Sequence, residues 1–240
     1  MEYEIIQKPA YSLLKVSLRS GESVTAEAGA MVLFKGDLDI KTSTGGLTKA
    51  LLRKLFGGET FFLNTYTAKE YAEIWFAPGV PGDISYIPLR GQSIIVQDSS
   101  YLAHHGDVDI SVTWRGLRGL LAEGELIWLK LSGYGGVWVN SYGGMVEVDL
   151  SPGEKITIDN FHFVAMDGSV NWRIRKFGGW KSFFFGGEGF VVELEGPGKV
   201  LLQTRILMAF ARALRRYLPS GKGSSLDLGR GRGFRISFDI

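Results

Sequence analysis

Apolar and polar residues alternate with a period of two along much of this chain. Val108, Ile110 and Val112 alternate with Asp109, Ser111 and Thr113, and Ile156 and Ile158 with Thr157 and Asp159. Val146, Val148 and Leu150 alternate with Glu147 and Asp149 in the same way. Successive side chains of a strand point to opposite faces, so this spacing predicts strands with one dry and one wet face. Glycine pairs separate many of these runs, at Gly45-Gly46, Gly57-Gly58, Gly135-Gly136, Gly143-Gly144, Gly178-Gly179 and Gly186-Gly187. Glycine accepts positive φ at little cost, which places such pairs at hairpin tips and corners. Short strands with regular turn punctuation predict a barrel, prism or sandwich.

Two segments change period. Residues 47–56 place Leu47, Leu51 and Leu55 four apart, with Lys49, Arg53 and Lys54 elsewhere, which predicts a short amphipathic helix. Residues 204–218 set Leu207, Phe210, Ala211, Leu214 and Leu218 on one stripe, and Pro219 stops the helix. The glycine-rich run SGKGSSLDLGRGRG that follows reads as a mobile link. The closing FRISFDI alternates Phe234, Ile236, Phe238 and Ile240 and predicts a terminal strand.

The pattern also repeats. Residues 21–40 (GESVTAEAGAMVLFKGDLDI) align without a gap with residues 91–110 (GQSIIVQDSSYLAHHGDVDI) through Gly21/Gly91, Ser23/Ser93, Gly36/Gly106, Asp37/Asp107, Asp39/Asp109 and Ile40/Ile110. Residues 153–172 enter the same frame through Gly153, Glu154 and Gly168, with Ser169 and Asn171 replacing the two aspartates. A second marker, Gly-Glu before a strand, recurs at Gly58-Glu59, Gly124-Glu125 and Gly187-Glu188. Two markers stepping together predict an all-β protein of three pseudo-equivalent units around a common axis. The expected layout is one compact domain over 1–240, with repeats at 1–80, 81–150 and 151–203, a helix at 204–218, and a link and terminal strand at 219–240. A unit of this length buries too little to stand alone. Its exposed strand edges need covering, which makes a homo-oligomer, a trimer or small ring, the expected state.

Composition narrows the class without naming a function. With 27 Lys and Arg against 25 Asp and Glu, the net charge of +2 demands no polyanionic partner, and nucleic acid is not an expected one. The absence of cysteine removes disulfides, thiolate catalysis and cysteine metal sites, and fits a cytoplasmic protein. The first residues read as neither a secretory signal nor a transit peptide. No window reaches the ~18 apolar residues of a membrane span, so the protein is expected to be soluble or at most peripheral to the inner face of a membrane.

Candidate chemistry is sparse. His104, His105 and Asp107 are the nearest approach to a metal cluster, since imidazole and carboxylate suit zinc, iron or manganese. Neighbouring strand residues face opposite ways, so at most one of the two histidines shares a face with Asp107. Asp37 with Asp39 and Asp107 with Asp109 are spaced to share a face, as acid–base pairs or as a solvent-facing row. No G-x-S-x-G, P-loop or obvious base is present, so no catalytic activity and no cofactor are expected. Arg205, Arg212, Arg215 and Arg216 make the C-terminal helix basic, which suits its own domain, an anionic membrane surface or a partner groove. Arg230, Arg232 and Arg235 in the glycine-rich tail suit loose RNA contact.

GESVTAEAGAMVLFKGDLDI, GLTKALLRKLFGGETFFLNTYTA and the late KVLLQTR together resemble the altered inheritance of mitochondria protein 24 family, over the chain up to Pro219. The resemblance implies a family of unknown function, and the lack of a transit peptide points to a prokaryotic member. The resemblance also implies a shortened double-stranded β-helix, similar to the tryptophan RNA-binding attenuation protein, that tends to oligomerise. It supplies no active site. The leading expectation is a non-catalytic oligomeric scaffold or assembly protein, with a small-ligand or metal-binding β-barrel and an RNA-binding ring as alternatives.

Overall fold

The computed structural model describes residues 1–45, 62–115, 127–176, 190–215 and 217–218. Within them the chain is mostly strand, with one α-helix, two short 3-10 turns and sixteen strands. The first seven strands are β1 (Glu2–Ile6), β2 (Leu13–Leu18), β3 (Ser23–Glu27), β4 (Met31–Lys35), β5 (Leu38–Ser43), β6 (Leu63–Ala68) and β7 (Ala72–Phe76). Three long strands follow: β8 (Ile84–Gln97), β9 (Tyr101–Arg115) and β10 (Ile127–Asn140). The last six are β11 (Met145–Leu150), β12 (Lys155–Asp159), β13 (Phe163–Asp167), β14 (Asn171–Lys176), β15 (Phe190–Glu195) and β16 (Gly198–Gln203), and α1 (Leu207–Arg215) follows. One compact unit spans Met1–Leu207 and a second spans Met208–Ile240.

The ladders are antiparallel. In the first stretch β7 lies between β2 and β4, while β6 lies between β3 and β5. In the last, β16 lies between β11 and β13, while β15 lies between β12 and β14. In the middle one long strand does the work of two: β10 lies between β8 and β9 along its whole length. The long strands turn at glycines. Gly91 and Gly106 have φ of +98° and +84°, and at Gly106 a Cβ would sit 2.4 Å from the Tyr134 carbonyl oxygen. Gly21 and Gly153, aligned with Gly91 in the repeat frame, have φ of +80° and +79° at the turns before β3 and β12.

Two cross-links join the stretches. β3 pairs with β9 through Thr25↔His104 and Ala26↔Ala103. β8 pairs with β13 through Ile94↔Asp167, Ile95↔Met166 and Val96↔Ala165.

Three apolar clusters form the core, each fed by the dry faces of its own strands and by side chains from a neighbouring stretch. The first gathers Leu14, Val16, Val24, Tyr66, Ile74 and Phe76, and receives Leu102, Ala103 and Trp138 from β9 and β10. The second gathers Leu89, Ile94, Leu129, Leu131 and Val137, and receives Leu63 from β6 and Val164, Ala165 and Leu201 from β13 and β16. The third gathers Leu150, Phe163, Val192 and Leu194, and receives Ile95 and Trp128.

The alternating runs lie in β9, β12 and β11 as their spacing predicts. Gly135-Gly136 does not form a hairpin tip but sits inside β10. A Cβ on Gly135 would lie 2.0 Å from the His105 carbonyl oxygen, and one on Gly136 would lie 2.1 Å from the Tyr86 hydroxyl oxygen, so the β9 backbone and the Tyr86 side chain fill the space a side chain would need. The helix expected over 204–218 is observed as Leu207–Arg215. The helix expected over 47–56, the glycine-rich link and the terminal strand lie outside the described residues.

Candidate functional site

His104 and His105 occupy adjacent positions of β9 and go to different partners. His104 is buried, and its Nδ1 lies 2.7 Å from the Tyr101 hydroxyl. Burial, with a smaller contribution from His105, pushes the His104 imidazole down to about 4. The His105 Nε2 lies 3.0 Å from the Tyr86 hydroxyl, and its ring stacks on Tyr86 at 6.0 Å. Tyr3 and Trp138 complete this aromatic patch, with ring centroids 5.3 Å apart. Burial, then the positive N-terminus, holds His105 below its ordinary value. Asp107 is exposed at the bend after Gly106. The strand therefore does not bring the three candidate ligands together. Among the described residues no group of three or more His, Asp or Glu side chains is arranged to hold a metal ion.

The paired aspartates face solvent. Asp37 accepts from the Lys69 ammonium at 3.1 and 3.2 Å, and Asp39 pairs with Lys41 at 3.3 Å. Asp107 and Asp109 are exposed while Ile110 is buried, as the period of two requires.

A polar cluster that the sequence did not announce lies where β3 meets β9. Glu27 ends β3, and burial, reinforced by the charge of Asp98, pushes its carboxyl up to about 7. Asp98 opens the 3-10 turn between β8 and β9. Burial pushes its carboxyl up to about 6, against the backbone N–H groups of Ser99, Asp98 and Ile127 that hold the ionised form. Burial and the charge of Glu27 raise the Tyr101 hydroxyl well above its usual range. That hydroxyl touches His104 and also donates to the Thr25 carbonyl oxygen at 3.4 Å. Nearby, the Asn140 amide donates to the Ser99 carbonyl at 3.3 Å. In the repeat frame Glu27, Gln97 and Asp159 are one position, so a polar residue ends the equivalent strand each time. That recurrence was the available signal. Its electrostatics depend on the β3–β9 register, which no local pattern encodes. The cluster places two carboxyl groups and a phenol at the junction of two strands that lie far apart in the chain.

On the outer face of the β12–β15–β14 sheet runs a groove of about 580 Å³, lined by Lys155, Thr157, Asn171, Arg173, Arg175 and Glu193 among others. Its charges pair locally, with Arg173 and Arg175 on Glu193 at 2.6 and 2.7 Å and Lys155 on Glu195 at 3.2 Å.

Of the basic C-terminal set, Arg205 precedes α1 and donates to the Thr204 carbonyl at 2.9 Å. Arg212 and Arg215 lie in the last turns of α1, whose Leu207, Phe210 and Leu214 are exposed. Arg216, Arg230, Arg232 and Arg235 lie outside the described residues. No helix among the described residues is long and apolar enough to cross a membrane.

Fold and site together define an all-β protein whose buried polar groups serve strand junctions. The chain belongs to the mitochondrial biogenesis AIM24 family, whose profile matches residues 3–205. It is similar to an uncharacterized protein of Streptococcus pyogenes serotype M6, at 27% identity over 229 residues that cover 92% of each chain. It is also similar to the crystal structure of a Streptococcus pyogenes protein, with a TM-score of 0.76 at 29% identity over 90% of this chain and 99% of that one. These findings agree with the resemblance carried by the two N-terminal blocks: a bacterial type of chain in a family without an assigned activity.

Proposed function

We propose that this chain is a non-catalytic scaffold that assembles with copies of itself. It consists of three pseudo-equivalent β units around a common axis, in an arrangement similar to the tryptophan RNA-binding attenuation protein. One observation carries the reading: the ladder order first–last–third and second–fifth–fourth recurs in β2 to β7, in the halves of β8 to β10, and in β11 to β16. A unit whose sheets are completed by its neighbours is suited to building a repeating surface rather than to enclosing a substrate. Native mass spectrometry of the purified chain tests this. A discrete multiple of the 26.4 kDa chain mass with nothing bound is the expected result. A lone chain contradicts assembly. Stoichiometric extra mass from a metal or small molecule would favour a ligand-binding barrel instead.

The basic apolar-striped helix favours a second reading compatible with the first, contact with an anionic membrane surface. Leu207 and Leu214 are exposed on a helix that ends in Arg212 and Arg215, the arrangement that lets apolar side chains enter a headgroup layer while cations meet it. Replacing Arg212 and Arg215 with Glu is expected to abolish co-sedimentation with phosphatidylserine vesicles. Unchanged sedimentation contradicts it.

A further inference from the structure

We infer that the outer edge of β4 in one copy pairs with the outer edge of β12 in the next, repeating between chains the junction that the chain makes twice within itself. The inference rests on the self-assembling reading above and specifies its surface.

The two internal junctions have the same register. In the repeat frame, positions 25, 95 and 157 are equivalent, as are 34, 104 and 166. Thr25↔His104 at the first junction therefore corresponds to Ile95↔Met166 at the second. The adjacent pairs Ala26↔Ala103 and Val96↔Ala165 correspond in the same way. The remaining members of each set are Thr157 with Phe34 and Ile158 with Leu33. These lie on β12 and β4, each of which ends a sheet and pairs on one side alone among the described residues.

Burial supports the same partner. At each internal junction the incoming sheet plugs the core of the unit before it. Leu102 and Trp138 enter the first cluster, and Val164 and Leu201 enter the second. Their counterparts in the first unit are Val32 and Trp75, because Leu33 faces Trp75 in the ladder as Ala103 faces Trp138 and Ala165 faces Leu201. Leu102 and Val164 are 0% exposed, whereas Val32 is 50% exposed. At the next-but-one position His104 and Met166 are buried and Phe34 is 43% exposed. An antiparallel edge carrying uncovered Met31, Val32 and Phe34 is a template for another strand. The receiving edge β12 borders the open groove over Lys155 and Thr157, at the end of the third core cluster. A second copy therefore supplies what each end lacks.

Because β4 and β12 are different surfaces, the contact is heterologous, and a rotation that closes gives a ring whose number of units is a multiple of three. Closure removes both free edges at once.

The chain has no cysteine, which makes a covalent test clean. Facing residues of an antiparallel ladder have Cα atoms about 4.5–5.5 Å apart, within disulfide reach. Phe34→Cys and Thr157→Cys change exposed side chains, and retention of the far-UV circular dichroism of the unmodified chain verifies folding. Phe34→Cys and Thr157→Cys chains, one of them tagged, are co-expressed and oxidised. The expected result is a covalent heterodimer on non-reducing gels that is absent from either variant expressed alone. The double variant is expected to give covalent ladders up to the full ring. If the unmodified chain is oligomeric by mass but no heterodimer forms, this surface is overturned and the scaffold reading stands. If the unmodified chain is a monomer, both fall.

Discussion

Glu27 is the residue at which burial and charge conflict most directly. Its carboxyl titrates at about 7 in the folded chain against an ordinary 4.5. The folded state thus holds this proton more tightly than the unfolded chain does. The contribution to stability is fully present below about 4.5 and is lost as pH rises through about 7. Asp98 adds a loss of the same sign between its ordinary 3.8 and about 6. His104 acts oppositely. Held at about 4 against 6.5, it contributes fully above 6.5 and loses that contribution as pH falls toward 4. Glu27→Gln keeps the shape of the protonated side chain and removes its charge. It is expected to leave stability at pH 4 unchanged and to raise it at pH 8 by about 3 kcal/mol, on the scale of 1.36 kcal/mol per pKa unit. Urea unfolding at the two pH values measures the difference, and equal shifts at both would contradict it. Trp128 is a second residue-scale case, wholly buried where β10 feeds the third core cluster. Trp128→Ala is expected to cost about 3–5 kcal/mol in the same assay. A cost below about 1 kcal/mol, the scale of an ordinary surface change, would mean that this contact does not hold the second and third stretches together.

At the scale of elements, the period of two located β9, β11 and β12, because one-sided burial writes itself directly into a strand, although Val146 on the apolar row of β11 is exposed. The repeat frame also marked the glycines at which the strands turn. It could not separate a glycine at a tip from one inside a strand. Gly135-Gly136 has the composition of a turn, yet His105 and Tyr86 press on it from both sides of β10. The three candidate metal ligands illustrate the same limit. Their spacing was visible, but the tyrosines that claim one histidine each were not: Tyr101 lies three residues before His104 on β9, and Tyr86 is brought to His105 across β10 from β8. Gly106 and Gly153 provide a test of how much a turn owes to conformation and how much to contact. Both have positive φ, but a Cβ at Gly153 meets open space whereas one at Gly106 meets Tyr134 and Gly135. Gly153→Ala is expected to lose about 1 kcal/mol, and Gly106→Ala at least about 2, by thermal melting. Similar losses would mean that the Gly106 bend relaxes without cost.

At the scale of the whole molecule, one junction geometry is used twice inside the chain, at β3–β9 and β8–β13, and the proposed assembly repeats it between copies. The sequence carried the frame of that regularity, since Gly36/Gly106 and Gly21/Gly91/Gly153 align by eye. It did not carry which strand of one unit meets which strand of the next. That choice appears only in Thr25↔His104 and Ile95↔Met166, pairs joined across long stretches of chain. The uncovered side chains of β4 follow from it. Val32 looks like any strand residue in the sequence, and its exposure has meaning only beside the burial of Leu102 and Val164. The most direct measurement is the native mass of the unmodified chain beside that of Val32→Glu, which places a charge where an apolar plug is expected. The predicted result is a discrete multiple of 26.4 kDa for the unmodified chain and 26.4 kDa for a folded variant. A lone unmodified chain, or the same multiple for both, would contradict assembly through this edge.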